Sequence, residues 1–129
     1  MQDVYIVGAA RTPIGKLGGE LSSQTAVQLG IIATQAALNR SGLPKDAVDS
    51  VMIGNVIQAG GGQNPARQVS IKAGLPVSVP AMTLNAVCGS GLQIINLQAK
   101  LIMMGDIDVA VAGGMESMSR APYILNQAR

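Results

Sequence analysis

The chain has 129 residues, of which 48% are hydrophobic and 12% are charged, and its formal net charge is +2. This balance is typical of a folded domain with an apolar core and argues against disorder. The sequence has two Tyr, no Phe and no Trp, and its nine Lys and Arg are scattered. Neither aromatic stacking on nucleic acid nor a basic surface for nucleic acid or membrane is therefore expected.

The scarce residue types restrict the chemistry further. A single cysteine excludes an internal disulfide, and the chain has no histidine, which is the usual general base near neutral pH and the commonest metal ligand. No apolar run reaches the roughly 18 residues of a membrane-spanning helix, and the N-terminus does not have the pattern of a signal peptide. A cytoplasmic protein is predicted, and an enzyme built on this chain must find its base elsewhere.

Strand-like and helix-like segments alternate along the chain. Thr25 and Gln28 fit a capping box at the start of the first helix, and Asn64 and Pro65 suit the N-cap and first position of the second. The predicted strands cover 4–10, 51–57, 81–87 and 107–112, and the predicted helices cover 25–40, 64–74 and 89–104. The order βαβαβαβ predicts an α/β fold with a sheet covered on both faces.

The third predicted helix is apolar on most of its surface. Its polar residues form one narrow stripe, made of Gln93, Asn96 and Lys100. A helix of this composition normally packs between two layers. We therefore expect it to be buried on both sides in a complete fold, and partly bare in this chain by itself.

The segment 85–92, NAVCGSGL, puts Cys88 between the third strand and the third helix. Free N–H groups and the dipole at a helix start stabilise a thiolate, which is the reactive form of sulfur. Gly89 and Gly91 remove side chains that would block a substrate, and the N–H of Cys88 would be free to donate to an oxyanion. A catalytic cysteine and an inert cysteine in a tight turn remain alternatives at this point.

Two other glycine-rich segments are weaker candidates. The loop 60–63 precedes a helix, but it lacks both the P-loop ending and the dinucleotide-binding spacing, so a structural turn is favoured. The segment 113–119 follows the last strand, where open α/β sheets bind ligands. Glu116 is its only carboxylate, and we expect either an orienting role for it or a plain flexible turn.

Four segments resemble signatures of the thiolase family and occur in the family's order. They are RTPIGK at 11–16, GNVIQAG at 54–60 with QNPARQ at 63–68, NAVCGSGLQ at 85–93, and GGMESMS at 113–119. The resemblance covers essentially the whole chain. It implies a thiolase-like fold, with residues 1–129 as an incomplete N-terminal thiolase domain. This βαβαβαβ half would have a mixed sheet and a buried helix layer, and the loop domain and C-terminal half would be absent.

The resemblance also implies a reaction, and the four motifs are most similar to those of thiolases that act on acetyl-CoA. Cys88 would accept an acetyl group from one acetyl-CoA, with its own N–H as oxyanion donor. A second acetyl-CoA would then attack, giving acetoacetyl-CoA and CoA, or the reverse thiolysis would occur. Thiolases need no metal or redox cofactor, since CoA is part of the substrate. They form dimers or tetramers, and a role in fatty acid metabolism is implied.

The chain departs from the family in what it lacks. The family's His in Gly-His-Pro, its Asn in Asn-Glu-Ala-Phe and its second Cys in Cys-x-Gly-Gly-Gly do not occur here, so the 129 residues alone are expected to be inactive. One alternative is a ketoacyl synthase of the same superfamily, which the sequence VCGSGLQ at 87–93 disfavours. Another is a non-catalytic interaction module, which the absent histidine favours and the retained CGSG motif disfavours.

Overall fold

Three helices and three strands alternate in the structure, a computed structural model that describes residues 2–128. The elements are α1 (Ala26–Ser41), β1 (Ser50–Gly54), α2 (Pro65–Lys72), β2 (Ala81–Leu84), α3 (Ser90–Met104) and β3 (Ala110–Gly114), with short 3-10 turns at Lys45–Ala47 and Met118–Arg120. None of the described helices is long and apolar enough to cross a membrane.

The strands form a parallel sheet in the order β2-β1-β3. β1 lies in the centre, with Val51 opposite Ala81 on one side and opposite Val111 on the other. All five residues of β1 are buried, which is typical of a parallel strand covered on both faces. Because the strands are parallel, their carboxyl ends meet at one edge of the sheet, where α/β folds bind ligands.

Helices cover both faces of the sheet, as the alternating pattern predicts. Val51 and Ile53 point into a core shared with residues of α1 and α2, among them Val27 and Val69. Alternate strand residues point to the opposite face, where the side chain of Gln98 in α3 donates to the hydroxyl of Ser50 at 3.0 Å. The sheet is thus packed between α1 and α2 on one side and α3 on the other.

The two predicted helix caps are confirmed. At α1, the N–H of Gln28 donates to the hydroxyl of Thr25 at 3.2 Å, and the Gln28 side chain accepts from the Thr25 N–H at 2.8 Å. At α2, Asn64 accepts from the Arg67 N–H, and Pro65 occupies the first turn. These caps depend on neighbours in sequence, so the sequence pattern suffices to find them.

The predicted strand over 4–10 is wrong. Tyr5, Ile6 and Val7 are exposed, and the segment lies against the last part of α1, where Arg40 donates to the carbonyl of Ala9 at 2.7 Å. An apolar run becomes a strand only when its backbone pairs with another strand, and in the described residues this segment pairs with neither outer edge of the sheet. Within the described residues this segment meets a helix instead.

The remaining strands are shorter than predicted, and β3 runs two residues past its predicted end at 112. Side chains bind the N–H groups beyond one end of β1 and one end of β3. β1 stops at Gly54, since the N–H groups of Val56 and Ile57 donate to the carboxylate of Glu116. β3 starts only at Ala110, since the N–H groups that precede it donate to the carboxylate of Asp49 at 2.8 and 2.9 Å. These two hydrogen bonds hold the pKa of the Asp49 carboxyl below its ordinary value.

Only one side of α3 is covered in residues 2–128. Ile94 and Gln98 are buried against the sheet, whereas Leu92 and Met104 are 67% and 74% exposed. The described strands also contain no antiparallel pair. The α/β architecture is therefore as predicted, and α3 is partly bare, as expected for this chain by itself. The expected mixed sheet is not seen within these residues.

Candidate active site

Cys88 is exposed and lies between β2 and α3, at the carboxyl edge of the sheet. The helix begins at Ser90, with Gly89 as its N-cap, so the cysteine stands just ahead of the first helical turn. The sequence predicts this placement, and the structure agrees with it. The exposure of Cys88 is not that of a cysteine that serves only as a small hydrophobic residue of the core.

Hydrogen-bond donors beside Cys88 are left open. α3 begins without a side-chain cap. The N–H groups of Gly89 and Ser90 donate to backbone carbonyls of the preceding turn, whereas among residues 2–128 those of Gly91 and Leu92 have no protein acceptor and are open to solvent or a ligand. Among residues 2–128, the N–H of Cys88 itself donates to no other protein group. A negative charge that develops beside this turn, on sulfur or on a carbonyl oxygen, would be stabilised by these donors and by the helix dipole.

The turn that presents Cys88 has an unusual backbone. Val87 has φ of 52°, in the left-handed region that β-branched residues avoid. The hydroxyl of Ser90 accepts from the Ala86 N–H at 2.9 Å and donates to the Val87 carbonyl at 2.6 Å. The side chain of Asn85 accepts from the Val87 N–H at 2.9 Å. Three side-chain hydrogen bonds therefore surround one strained residue.

Two glycines let α3 start close to the strand ends. A Cβ placed on Gly54, the last residue of β1, would lie 2.5 Å from the Cβ of Ser90, a distance that carbon atoms cannot adopt. A Cβ on Gly114, the last residue of β3, would lie 3.7 Å from the Cα of Gly91. Glycine is thus required at the end of β1, and its absence of a side chain brings the Cys88 turn onto the sheet edge.

Glu116 holds the loop that follows β1. Its carboxylate accepts from the side chain of Asn55 at 2.9 Å and from the N–H groups of Val56 and Ile57 at 2.9 and 3.2 Å. Asn55 is itself buried. The sequence singles out Glu116 as an orienting group, and the structure gives it that role toward this loop rather than toward Cys88.

The loop 60–63 is a closed turn, as predicted. Gly60 and Gly62 have φ of 74° and 81°, and the side chain of Gln68 donates to the carbonyls of Gly61 and Gln63 at 2.8 and 3.1 Å. The N–H of Gly61, a group of the kind that would bind a phosphate, instead donates to the Gln58 carbonyl at 2.9 Å. Within residues 2–128, no three His, Cys, Asp or Glu side chains come together as metal ligands.

The hydrogen bonds that Asn85 and Ser90 make around Val87 are not predicted from the sequence. Both residues lie in the NAVCGSGL motif, and the Asn85 contact to the N–H two residues on is an Asx turn, which Asn favours. The Asn85 hydrogen bond could therefore have been predicted from the sequence. The two hydrogen bonds of the Ser90 hydroxyl could not, because they depend on a positive φ at Val87, a conformation that valine disfavours.

A family model described as the N-terminal domain of thiolase matches residues 4–129. The chain therefore belongs to the thiolase family. An acetyl-CoA acetyltransferase of Cupriavidus necator is 54% identical over 129 residues, covering 100% of this chain and 33% of that protein. A mitochondrial acetyl-CoA acetyltransferase of Rattus norvegicus is 50% identical over 127 residues, covering 98% of this chain and 30% of that protein.

A solved structure agrees with this assignment. The Acat5 thiolase of Ascaris suum, in complex with coenzyme A, matches with a TM-score of 0.96 at 44% sequence identity, covering 99% of this chain and 34% of that one. The predicted family and α/β fold are thereby confirmed. The chain spans about a third of the length of these relatives.

Proposed function

We propose that the intact protein containing this chain is an acetyl-CoA acetyltransferase, which condenses two acetyl-CoA into acetoacetyl-CoA and CoA or runs the reverse thiolysis. The observation that carries the proposal is the exposed Cys88 beside an uncapped helix start, with its own N–H free to donate. The names of the relatives supply the substrate, since those at 50% and 54% identity are acetyl-CoA acetyltransferases.

The first half-reaction transfers an acetyl group to sulfur. The Cys88 thiolate attacks the thioester carbonyl of acetyl-CoA, and the negative charge on the carbonyl oxygen is stabilised by the Cys88 N–H. The C–S bond to CoA then breaks, and CoA leaves as a thiolate that takes up a proton. The product is an acetyl-Cys88 thioester, so one thioester has replaced another without any change of oxidation state.

The second half-reaction forms a carbon–carbon bond. A second acetyl-CoA loses an α-proton, and its carbanion attacks the carbonyl of acetyl-Cys88. The bond to sulfur breaks, which releases acetoacetyl-CoA and regenerates the Cys88 thiolate. The chain has no histidine, so we expect the bases for both steps in other parts of the intact protein. Neither step transfers electrons to a cofactor or needs a metal, and CoA enters only as the acyl carrier.

The assembly and setting of the intact protein form a further part of the proposal. We propose a cytoplasmic homo-oligomer, a dimer or tetramer, that works in fatty acid metabolism. Exposed apolar side chains on α3, such as Leu92 and Met104, support burial against another surface, because large apolar patches are seldom left in water. Sedimentation velocity and cell fractionation of the intact protein test these two points, and a stable monomer would contradict the first.

Trapping the intermediate tests the reaction. The intact protein is incubated with acetyl-CoA alone and digested, and the peptide containing Cys88 is examined by mass spectrometry for one added acetyl group. The Cys88→Ala variant is the matched control and should carry no label. An acetyl group found only on another residue would overturn the proposal. Labelling by an acyl carrier protein thioester but not by acetyl-CoA would identify a ketoacyl synthase instead, and no label from either would favour the interaction module.

A further inference from the structure

We propose that Ser90 is a positioning residue for Cys88, whose hydroxyl clamps Val87 in a left-handed conformation and thereby fixes the direction of the next residue. The inference rests on the proposed function, because it assigns Ser90 a role in acyl transfer. The Ser90 hydroxyl binds only backbone groups of the turn, the Ala86 N–H and the Val87 carbonyl. It acts only through the backbone of the Val87 turn.

Val87 has a strained backbone conformation. A branched Cβ at φ of 52° crowds its own backbone, so this conformation persists only where the surroundings impose it. The chain contains a contrasting position at Asn64, which adopts φ of 41° with a residue type that tolerates the left-handed region. Val87 has no such tolerance and needs an external constraint.

Ser90 supplies that constraint on both sides of the strained residue. Its single hydroxyl binds the N–H of Ala86, before Val87, and the carbonyl of Val87, after it. The ψ rotation of Val87, which would swing Cys88 away, must therefore break the 2.6 Å bond to that carbonyl. Ser90 is only 5% exposed, so its hydroxyl is held in place by packing. Without the hydroxyl, the Ala86 N–H loses this acceptor, and the Val87 carbonyl keeps only the longer bond from the Ser90 N–H at 3.2 Å.

The position of Ser90 is in turn fixed by the end of β1. The site of a Cβ on Gly54 would be 2.5 Å from the Cβ of Ser90, so the serine is packed directly on the strand backbone. The clamp is thus anchored to the central strand of the sheet rather than to a mobile loop. A methyl group at position 54 should displace Ser90 and release the clamp without altering the hydroxyl.

Kinetics of Ser90→Ala in the intact protein test the inference. We expect kcat for acetyl transfer to fall roughly 10- to 100-fold, as a small misplacement of a reacting group does, while KM for acetyl-CoA stays within about twofold. Gly54→Ala should have the same signature. The matched control is Ser41→Ala, because the Ser41 hydroxyl likewise donates to a carbonyl at 2.7 Å and accepts an N–H at 3.2 Å, at the far end of α1. Ser41→Ala should keep kcat.

A double-mutant cycle separates positioning from general stability. Val87→Asn introduces a residue that tolerates positive φ, so Ser90→Ala should cost at least about tenfold less in kcat in the Val87→Asn background than in the native one. If Ser90→Ala acted only by lowering the stability of the protein, its cost in kcat would be the same in both backgrounds. If Ser90→Ala fails to fold, the double variant should fold and regain activity.

Each remaining outcome is decisive. Equal kcat for Ser90→Ala and Ser41→Ala, equal costs in the two Val87 backgrounds, or unfolding of Ser90→Ala with and without Val87→Asn would overturn the clamp. Acetyl labelling of Cys88 in the native protein is scored separately. Labelled Cys88 with a failed cycle overturns only the role of Ser90, whereas absence of label overturns the proposed function. In that event, the rate of iodoacetamide alkylation at Cys88 still reports whether Ser90 orients the turn.

Discussion

The starts of α2 and α3 lie on the same edge of the sheet and are built in opposite ways. Each follows a residue with positive φ, Asn64 before α2 and Val87 before α3. At α2 the Asn64 side chain accepts from the Arg67 N–H, and the hydroxyl of Thr83 accepts from the Ala66 N–H. At α3 no side chain caps the helix, and among residues 2–128 the Cys88 N–H has no acceptor.

The difference shows what a helix start costs and what it offers. A closed start such as that of α2 satisfies its own donors and stabilises the fold. An open start leaves donors unsatisfied, which forgoes that stability and provides a place for negative charge. The strained Val87 belongs to the open start, and the relaxed Asn64 belongs to the closed one. Three predictions test this contrast, in order of their expected effect on catalysis, and a fourth concerns Asp49.

Removal of the thiol should abolish the function of the open start. In the intact protein, Cys88→Ala should lower acetyl transfer by roughly 10³-fold or more, as loss of a covalent nucleophile does. The melting temperature should barely change, because the lost sulfur is exposed. Cys88→Ser should also be severely impaired, since almost none of a serine hydroxyl is ionised to the alkoxide near neutral pH. Full turnover by Cys88→Ala would end the assignment of the nucleophile.

A fixed negative charge at the open start should compete with the reaction. Gly89 has φ of −83°, which any residue adopts, and an added Cβ would lie 3.3 Å from the Ala86 carbonyl oxygen. This close contact is common to Gly89→Asp and Gly89→Asn, and a shift of a few tenths of an ångström should let both variants fold. They differ only in charge, and the aspartate should lower kcat by roughly 10-fold relative to the asparagine, because it disfavours a thiolate and an oxyanion beside it. Raised ionic strength should reduce this difference in kcat between the two variants. Equal kcat in the two variants would contradict the electrostatic role of this turn.

Opening the closed start should affect stability but leave catalysis unchanged. Asn64→Ala removes the cap of α2, the bond to the Thr83 hydroxyl at 2.8 Å and the bond to the Ala81 carbonyl at 2.9 Å. It also puts alanine at positive φ, and the combined loss should be about 2–3 kcal/mol in urea unfolding. Asn64→Gly keeps the backbone freedom and should lose less. A fall in kcat of the folded Asn64→Ala protein beyond about twofold would contradict the contrast.

The smallest expected effect is a pH dependence of stability from Asp49, which lies away from both starts. Hydrogen bonds from the N–H groups of Val109 and Asp108 make the pKa of its carboxyl lower in the folded chain than in the unfolded one. The unfolded state therefore binds the proton first as pH falls. The stabilisation is complete above the ordinary pKa of 3.8 and is lost as pH drops through the lower folded value.

Acid unfolding measures this contribution. The Asp49→Asn variant keeps an acceptor oxygen but carries no charge, so its free energy of unfolding should vary less with pH below about 4 than that of the native protein. Above that range the native protein should be the more stable of the two, by an amount that added salt reduces. Parallel acid transitions in both proteins would contradict the role given to the Asp49 carboxylate.

The parts of this fold that the sequence predicts are those decided by near neighbours. The capping box of Thr25 and Gln28 and the cap of Asn64 with Pro65 are local patterns, and both are confirmed. The segment 4–10 is read wrongly because strand formation depends on a partner far away in sequence. Its composition is that of a strand, yet its neighbour in the described residues is the end of α1.

In the candidate site, too, the features that depend on near neighbours are predictable from the sequence, and those that depend on distant contacts are not. The position of Cys88 at a strand–helix junction follows from local pattern, and so does the open helix start, because glycine has no capping side chain. The clamp on Val87 does not follow, since it needs a backbone conformation that valine disfavours and a close approach of Ser90 to Gly54. Such contacts arise only when β1 and α3 are brought together in the folded chain.

The bonds to Glu116 have a consequence for the order of events during synthesis. The loop after β1 leaves the ribosome about sixty residues before the carboxylate that accepts its N–H groups, as the spacing of Val56 and Glu116 shows. Until then those groups must bind water, and closing so long a loop is slow. We expect pulse-labelled hydrogen exchange to find the Val56 amide among the last to gain protection, so this sheet edge is completed after the core beneath it.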